Sequence, residues 1–493
     1  MFSHLRNRPP IAVIRDFRGF KKSRGIVLTK IIDNCKKRCP LAIKRVILFC
    51  KHPRGWGKCH DEGGRIMKRA KLWVGILCLG LALSCLPFLG HQANAQGKPI
   101  VIGAPLATAF LYGWDAERAI KLAIAEINAK GGVNVGGVKR PFKPEVIDTR
   151  DLEPGVPTSD ALLVVEKLIL EKNADFIVGG PVRSEAALAA MDLLSKYKKV
   201  SILTTGVLTP AYHKRVEAEY DKFKYCFRIS GEVGWMVTGE FLPCLMDIKA
   251  KFGLNKIFIM VQDVAHARGG GDLVAKLASE KGWEVLGKEV YPTGTTDFSV
   301  GLLKAKKENA QVILIWMDMP ESSILLKQWY DMKIPALPFG TIVAAVEQPG
   351  FYKATEGKGE YSLASLVNAG NAPSKATPWT MKFVQAYQKK YGLEPEGYGT
   401  SSSYMAVYVL KDAIERAGSL DSDAVIAALE KTDMEGVYGK IKFNPKNHQV
   451  IPSVDPKEGA VGTIFQWQAG KRIVVFPSKI AMGEIKLPPW MKK

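Results

Sequence analysis

Short apolar runs alternate with amphipathic helical stretches along most of this sequence, and this alternation limits the fold more than any other feature. Residues 100–103 have the composition of a buried strand, and residues 115–130 place apolar side chains at helical spacing before two glycines. The same pattern continues in strands at 143–149, 175–179 and 200–205 and in helices at 159–172 and 184–197. Three βα units in succession predict a parallel sheet with helices on both faces.

A second series of the same kind follows. Its predicted strands lie at 256–262, 284–291, 311–317 and 337–341, and its helices at 235–252, 272–281, 298–308 and 321–332. Helices at 377–391, 401–417 and 424–431 come next, then strands at 439–443, 462–468 and 472–476. Because 493 residues exceed the ~250–300 at which one core stops growing, we predict an α/β fold with two doubly wound parallel-sheet lobes.

The net charge of +22 is concentrated at the start of the chain. Residues 1–66 contain 17 Lys or Arg and four acidic residues, and residues 67–95 contain three Lys or Arg and no acid. The remainder is mildly basic, with 50 basic and 44 acidic residues. This distribution does not support a phosphate-binding stripe, so we expect no nucleic-acid partner.

Residues 67–95 have the three parts of a secretory signal. A charged start (Lys68, Arg69, Lys71) precedes an apolar stretch, and Ala93 and Ala95 form a small-x-small cleavage site. We predict cleavage before residue 96 and location in the periplasm. The alternatives are an uncleaved anchor, because the apolar run approaches the length of a span, and lipidation of Cys85.

The 66 residues before this signal have no sustained periodicity. We interpret residues 1–66 as an upstream or disordered leader, because a secretory signal works from the N-terminus. Their cysteines and histidines lack the C-x₂-C spacing of zinc sites. A basic arm that binds nucleic acid or zinc is the alternative.

The segments after the signal resemble a known family along nearly all of residues 98–470. The segments that carry this resemblance are VIGAPL and INAKGG, then DFIVGG, VSILTTGVLTPA, FRIS, KIFIMVQD, TGTTDFS, AQVILIWMDMPES and GYGTSSSYMAVYVLKDAIERAG. In this order they resemble the periplasmic Leu/Ile/Val-binding receptors of ABC transporters, which have the type I periplasmic binding fold.

The resemblance implies that a three-stranded hinge joins the lobes, with crossings near residue 229, near residues 358–363 and near residue 462. The first lobe would then comprise residues 98–229 and 361–461, and the second 230–360 and 462–493. The implied function is an extracytoplasmic receptor that closes on a small amino acid, amide or carboxylate and delivers it to an ABC permease. We expect a monomer without a cofactor.

In this family the first lobe holds the ligand carboxylate on backbone N–H groups and hydroxyls near helix N-termini. The matching residues here are Arg183, Ser184, Thr204, Thr205 and Gly206. Two alternatives are open: Ser184 caps its own helix, and Arg183 points to solvent or to the other lobe instead of pairing with the ligand.

Four further residues are candidates by the same resemblance. Tyr112 aligns with a tyrosine that lines the cleft, although such an aromatic also suits core packing. His266 lies where the family places an aromatic contact, and Trp316 and Asp318 end a strand facing the cleft. Asp318 could accept an ammonium group or cap the next helix.

One position departs from the family pattern. Amino-acid receptors of this type often carry a glutamate after the strand at 337–341 to hold the ammonium group, but this sequence has Gly340-Thr-Ile-Val-Ala344. An unpaired buried charge is costly. Amides, urea-like compounds and other carboxylates are therefore also candidate ligands.

The sequence contains no pattern of catalytic or metal-ligating residues that we recognise. G-x-S-x-G, H-E-x-x-H and P-loop motifs are absent, and the histidines after the signal lack metal-ligand spacing. We therefore predict no enzyme activity and no metal. A ligand sensor of a signalling system and, less favoured, an exported hydrolase are the alternatives. Cys226 and Cys244 form either a disulfide or two buried thiols.

Overall fold

The computed structural model describes residues 97–491, apart from 154, 207, 208, 342, 343, 396 and 398. The predicted leader (1–66) and export signal (67–95) lie outside these residues. Within the described part of the chain, no helix has both the length and the apolar character needed to cross a membrane.

The first sheet has five parallel strands in the order β4-β1-β5-β6-β7. The first seven strands are β1 (Ile100–Leu106), β2 (Val133–Val135), β3 (Val138–Arg140), β4 (Phe142–Asp148), β5 (Phe176–Gly179), β6 (Ser201–Leu203) and β7 (Cys226–Arg228). Of these seven strands, β2 and β3 lie outside the sheet and form a separate antiparallel hairpin. The helices between them are α1 (Leu111–Ala129), α2 (Thr158–Leu170), α3 (Ser184–Lys196), α4 (Ala211–Ala218) and α5 (Tyr220–Phe223).

The second sheet has seven strands in the order β16-β15-β12-β11-β10-β8-β9. The strands are β8 (Lys256–Gln262), β9 (Glu284–Tyr291), β10 (Val312–Trp316), β11 (Leu337–Thr341), β12 (Leu363–Leu366), β13 (Met434–Gly436), β14 (Gly439–Ile441), β15 (Thr463–Gln468) and β16 (Lys471–Phe476). β13 and β14 form a separate hairpin, and β15 and β16 run antiparallel at the sheet edge. All five residues of β10 are buried, as expected for a strand covered on both faces.

After β7, a short helical turn (Val233–Trp235) and a π-helical stretch (Met236–Phe241) lead directly into the next α-helix. The remaining helices are α6 (Leu242–Phe252), α7 (Ala265–Glu280), α8 (Ser299–Lys307), α9 (Ser322–Asp331), α10 (Ala344–Glu347), α11 (Phe351–Ala354), α12 (Pro378–Tyr391), α13 (Gly399–Ala417) and α14 (Ser422–Glu430). α13 packs against α1, so this later part of the chain returns to the first lobe.

The parallel strands are arranged in the same order in both sheets. In each sheet, the first strand along the chain lies between the second and the third: β1 lies between β4 and β5, and β8 lies between β9 and β10. The order therefore reverses between β1 and β5 in one lobe and between β8 and β10 in the other. Ligands of such sheets bind beyond the carboxyl ends of the strands at this reversal. The fold thus points to the loops after these four strands.

Among the described residues, the chain passes between the two lobes after β7, after β12 and before β15. The second passage lies slightly later than predicted. β12 pairs with β11 and β15 of the second sheet, so the chain leaves this sheet after Leu366, a few residues beyond 358–363. The reason is physical: Leu363–Leu366 is a fully buried strand that fills the gap between two strands of the second sheet.

Candidate functional site

A cleft of about 1250 Å³ lies between the two lobes. Its walls come from the loops that follow the strands at the two reversal points. The first lobe contributes Ala107, Ala109, Phe110, Tyr112, Asp148, Arg150, Leu152, Glu153, Thr158, Val182, Arg183, Ser184, Glu185, Leu188, Gly206, Thr209 and Pro210. The second contributes Val233, Gln262, Asp263, Val264, His266, Arg268, Gly269, Gly270, Leu273, Thr293, Asp318, Met319, Pro320 and Glu321. Six of the nine predicted site residues are among them.

A buried carboxylate holds the first-lobe wall from behind. Oδ2 of Asp151 accepts the backbone N–H groups of Val182 and Arg183 at 2.8 and 2.7 Å, and Oδ1 accepts the Thr149 hydroxyl at 2.5 Å. Asp151 is 1% exposed. Two N–H groups of the loop before α3 are therefore occupied by the protein itself and are not offered to a ligand.

Arg183 and Ser184 lie side by side at the start of α3. The Arg183 guanidinium donates to the backbone carbonyls of Glu153 and Val156 at 3.4 Å, within its own lobe. Arg183 is also the residue that precedes the helix, and no side-chain capping bond is present there. Ser184 therefore does not cap α3, and its side chain borders the cleft.

The loop after β6 presents only one of its three predicted residues to the cleft. Thr204 is buried, with its hydroxyl 2.6 Å from that of Ser403. The Thr205 hydroxyl donates to the Tyr112 carbonyl at 3.1 Å. Gly206 borders the cleft at φ 67°, and a Cβ there would lie 2.0 Å from the Val182 carbonyl oxygen, so no larger residue fits.

Tyr112 lies in the first turn of α1 and borders the cleft. Its ring packs edge-on against Phe110, with ring centroids 5.6 Å apart. Because Thr205 bonds to its backbone, the loops after β1 and β6 position this ring together. Sequence reasoning placed the helix start at residue 115, which left Tyr112 outside it.

His266 and Asp318 face each other on the second-lobe wall. The His266 Nε2 atom lies 3.5 Å from Oδ2 of Asp318. Burial lowers the pKa of His266, while the carboxylates of Asp318 and of Glu185 across the cleft oppose this shift. On the same wall, the nearby side chains of Arg268 and Asp263 form an ion pair.

Trp316 does not border the cleft. Its ring is fully buried beneath α7, where a Cβ on Gly270 would lie 2.2 Å from it. Asp318 does not cap α9 either, because the residue before that helix is Glu321.

Gln262 and Glu321 are second-wall residues that sequence reasoning missed. The Gln262 amide donates to Thr293 at 2.8 Å, and its oxygen accepts the N–H groups of Asp318 and Met319 at 3.0 and 3.2 Å. Gln262 thus ties the loops after β8, β9 and β10 together. Oε2 of Glu321 is buried and has no hydrogen-bond partner among the described residues. A polar residue at the end of an apolar strand was the available signal for Gln262.

On the first wall, sequence reasoning missed Asp148, Arg150 and Glu153. Arg150 and Glu153 form an ion pair at 2.7 Å, and Asp148 accepts the backbone N–H of Thr108 at 3.0 Å. The described lining contains six carboxylates and three guanidinium groups. The described lining therefore contains more acidic than basic groups.

Within the described residues, no group of three or more His, Cys, Asp or Glu side chains is arranged to hold a metal ion. Cys226 and Cys244 are buried free thiols. No described residue from Leu337 to Glu347 borders the cleft, and positions 342 and 343 of the atypical loop lie outside the described residues.

Residues 106–469 match the family described as periplasmic binding protein. The Leu/Ile/Val-binding protein homolog 7 of Brucella suis is 26% identical over 435 residues, which cover 83% of this chain and 98% of that protein.

Solved structures have the same fold. The amino acid ABC transporter substrate-binding protein from Pseudomonas fluorescens matches with a TM-score of 0.62 and 19% identity, covering 80% of this chain and 98% of its own. The branched-chain amino acid transporter substrate-binding protein LivJ from Streptococcus pneumoniae, solved with isoleucine, matches with a TM-score of 0.59 and 21% identity, covering 79% and 100%.

Proposed function

The chain belongs to the periplasmic binding protein family and is a solute receptor; we propose that it binds a small amino acid, amide or carboxylate between its lobes and delivers it to an ABC permease. The observation that carries this proposal is that the reversal points of both sheets open on one cleft. A solute held there contacts both lobes, so its binding energy favours the conformation in which the walls are closest.

The distribution of polar groups supports one orientation of the solute. A cationic group of the solute would lie at the second wall, near Asp318 and the buried Glu321 oxygen, because a buried carboxylate oxygen without a partner is costly. An anionic or carbonyl group would lie at the first wall, beside Ser184 at the positive end of α3. Tyr112 would cover the apolar part of the solute.

The receptor role also requires export. We propose that the signal at 67–95 directs the chain to the periplasm, with cleavage before Gln96, and that the mature protein works as a monomer. N-terminal sequencing of the exported protein tests the cleavage site: a start at Gln96 supports it, and a retained apolar segment contradicts it.

Thermal-shift screening tests the ligand class. We expect one narrow group among amino acids, amides and small carboxylates to raise the melting temperature, since a ligand at 100 times its Kd adds about 2.7 kcal/mol of stability. Tyr112→Ala and Asp318→Asn should each reduce this shift, and Thr205→Ala should reduce it less because its hydroxyl acts through the Tyr112 backbone.

Asp272→Asn is the matched control, because Asp272 pairs with Lys288 on the exposed face of α7. If Tyr112→Ala and Asp318→Asn respond like the parent, these site assignments are wrong. Chemical conversion of the stabilising compound would overturn the receptor assignment itself.

A further inference from the structure

Outside the cleft, one buried guanidinium joins the two lobes directly. Arg472 lies in β16 of the second sheet and is 4% exposed. Its Nη1 atom donates to the Glu347 carbonyl of its own lobe at 2.8 Å. Its Nη2 atom donates to Oε2 of Glu394 at 2.9 Å and to the Pro395 carbonyl at 2.8 Å.

Glu394 and Pro395 belong to the first lobe. They follow α12, whose last residue, Tyr391, donates its hydroxyl to the Arg118 carbonyl of α1 at 2.7 Å. The Arg472 contact therefore spans the lobe boundary at a place separate from the three hinge crossings. None of these residues borders the cleft.

We propose that Arg472 is a positioning residue for solute binding, because its guanidinium holds the second lobe against the Glu394 loop and so sets the spacing of the cleft walls. The proposal rests on the receptor function proposed above. Arg472 is buried, and the Glu394 side chain is 35% exposed. Charge-assisted hydrogen bonds from a buried guanidinium are strong, so breaking them is costly. Loss of this contact should therefore change the balance between narrow and wide conformations without touching the solute.

Spin-label distances test the proposal without any ligand. Leu163 of α2 and Val300 of α8 are 64% and 78% exposed and lie on different lobes. Leu163→Cys and Val300→Cys provide label sites, because the native Cys226 and Cys244 are buried. Pulsed electron resonance then measures the distance distribution between the lobes.

In the Arg472→Met protein, we expect the ratio of wide to narrow conformations to rise roughly tenfold, with a smaller rise for Arg472→Lys and Glu394→Gln. Arg416→Met is the control, because Arg416 also bonds a carboxylate and a backbone carbonyl, but within the first lobe only.

An unchanged distribution in folded Arg472→Met and Glu394→Gln proteins would overturn the proposal, as would an equal widening in Arg416→Met. If Arg472→Met does not fold, the distance distributions of Arg472→Lys and Glu394→Gln test the proposal in its place. Failure of the thermal-shift screen would instead count against the receptor's ligand class, because the distance measurement needs no solute.

Discussion

The two walls of the cleft come from sheets with the same strand order, yet they are held in different ways. Behind the first wall, Asp151 and Thr205 bond to the backbone of the cleft loops from buried positions. On the second wall, the side chains of His266 and Asp318 face each other and are each about one-third exposed, at 35% and 32%. The groups that hold the first wall are therefore buried, whereas the second wall, whose loops Gln262 also ties together, presents partly exposed side chains that a solute can recruit.

This contrast predicts that substitutions behind the first wall reduce stability, while substitutions of the second-wall side chains mainly change binding. The following experiments order the expected effects from the largest to the smallest.

Asp151→Ala should have the largest effect on stability. It removes three hydrogen bonds and leaves two buried backbone N–H groups without an acceptor, at a cost of roughly 3–5 kcal/mol in the free energy of unfolding. Urea denaturation measures this loss. The control is Asp263→Ala on the second wall, whose half-exposed ion pair should contribute little. Equal losses in the two variants would remove the contrast between the walls.

A buried carboxyl group near the first crossing should make stability fall as the pH rises through neutrality. Glu240 lies in the π-helical stretch after the first crossing, and the Ser365 hydroxyl donates to its Oε2 atom at 3.1 Å. Burial raises the pKa of Glu240 to about 8. The folded protein therefore keeps a proton that the unfolded chain releases, so the free energy of unfolding falls between about pH 4.5 and pH 8.

Glu240→Gln should remove roughly 2–4 kcal/mol of this pH dependence, measured by urea denaturation from pH 5 to pH 9. Glu284→Gln, at an exposed ion pair in the second lobe, is the control and should keep the parent slope. The same slope in the parent and in Glu240→Gln would contradict the assignment.

The first lobe should lose stability at the acid end instead. His213 in α4 is buried, and its Nδ1 atom lies 2.9 Å from the Asn447 carbonyl. Burial, aided by the Arg228 guanidinium, lowers the pKa of His213 to about 3. The unfolded chain gains a proton that the folded protein excludes, so stability falls as the pH drops from about 6.5 towards 3.

His213→Gln should flatten the acid arm of the stability profile by roughly 1–3 kcal/mol. The alkaline arm should stay as in the parent, which separates this residue from Glu240. Circular dichroism during urea titration between pH 4 and pH 7 measures the change, and an unaltered acid arm would count against it.

Two adjacent glycines of α7 test how closely the backbone of the second wall is packed. A Cβ on Gly270 would meet the Trp316 ring at 2.2 Å, whereas a Cβ on Gly269 has nothing within 4 Å. We expect Gly270→Ala to cost roughly 1–3 kcal/mol and Gly269→Ala to add about 0.5–1 kcal/mol through helix propensity. Thermal unfolding of both variants measures these changes. Equal shifts of the melting temperature would show that Gly270 does not pack against Trp316 as described.

These glycines also show why part of the fold escaped sequence reasoning. Three glycines in a row lower helix propensity, so the predicted helix began at residue 272, while contact with Trp316 lets α7 begin at Ala265. Strands such as Lys256–Gln262 and Glu284–Tyr291 agree residue for residue with the prediction, because long apolar or alternating runs need no tertiary information.

The candidate site was predicted in outline from the same principle, since ligands of doubly wound sheets bind at strand ends. Which side chains face the cleft depends on tertiary contacts instead. Thr204 turns inward to Ser403, and Trp316 turns under α7. Arg150 and Glu321 enter the lining from loops whose path the sequence pattern does not specify.

Small-angle X-ray scattering, with recovery of the stabilising solute afterwards, tests most directly whether both walls close on one compound. A receptor that closes on its solute should have a smaller radius of gyration when the solute is present. Denaturation of the complex should then release the same compound unchanged. An unchanged radius at saturating solute, or recovery of a converted product, would contradict it.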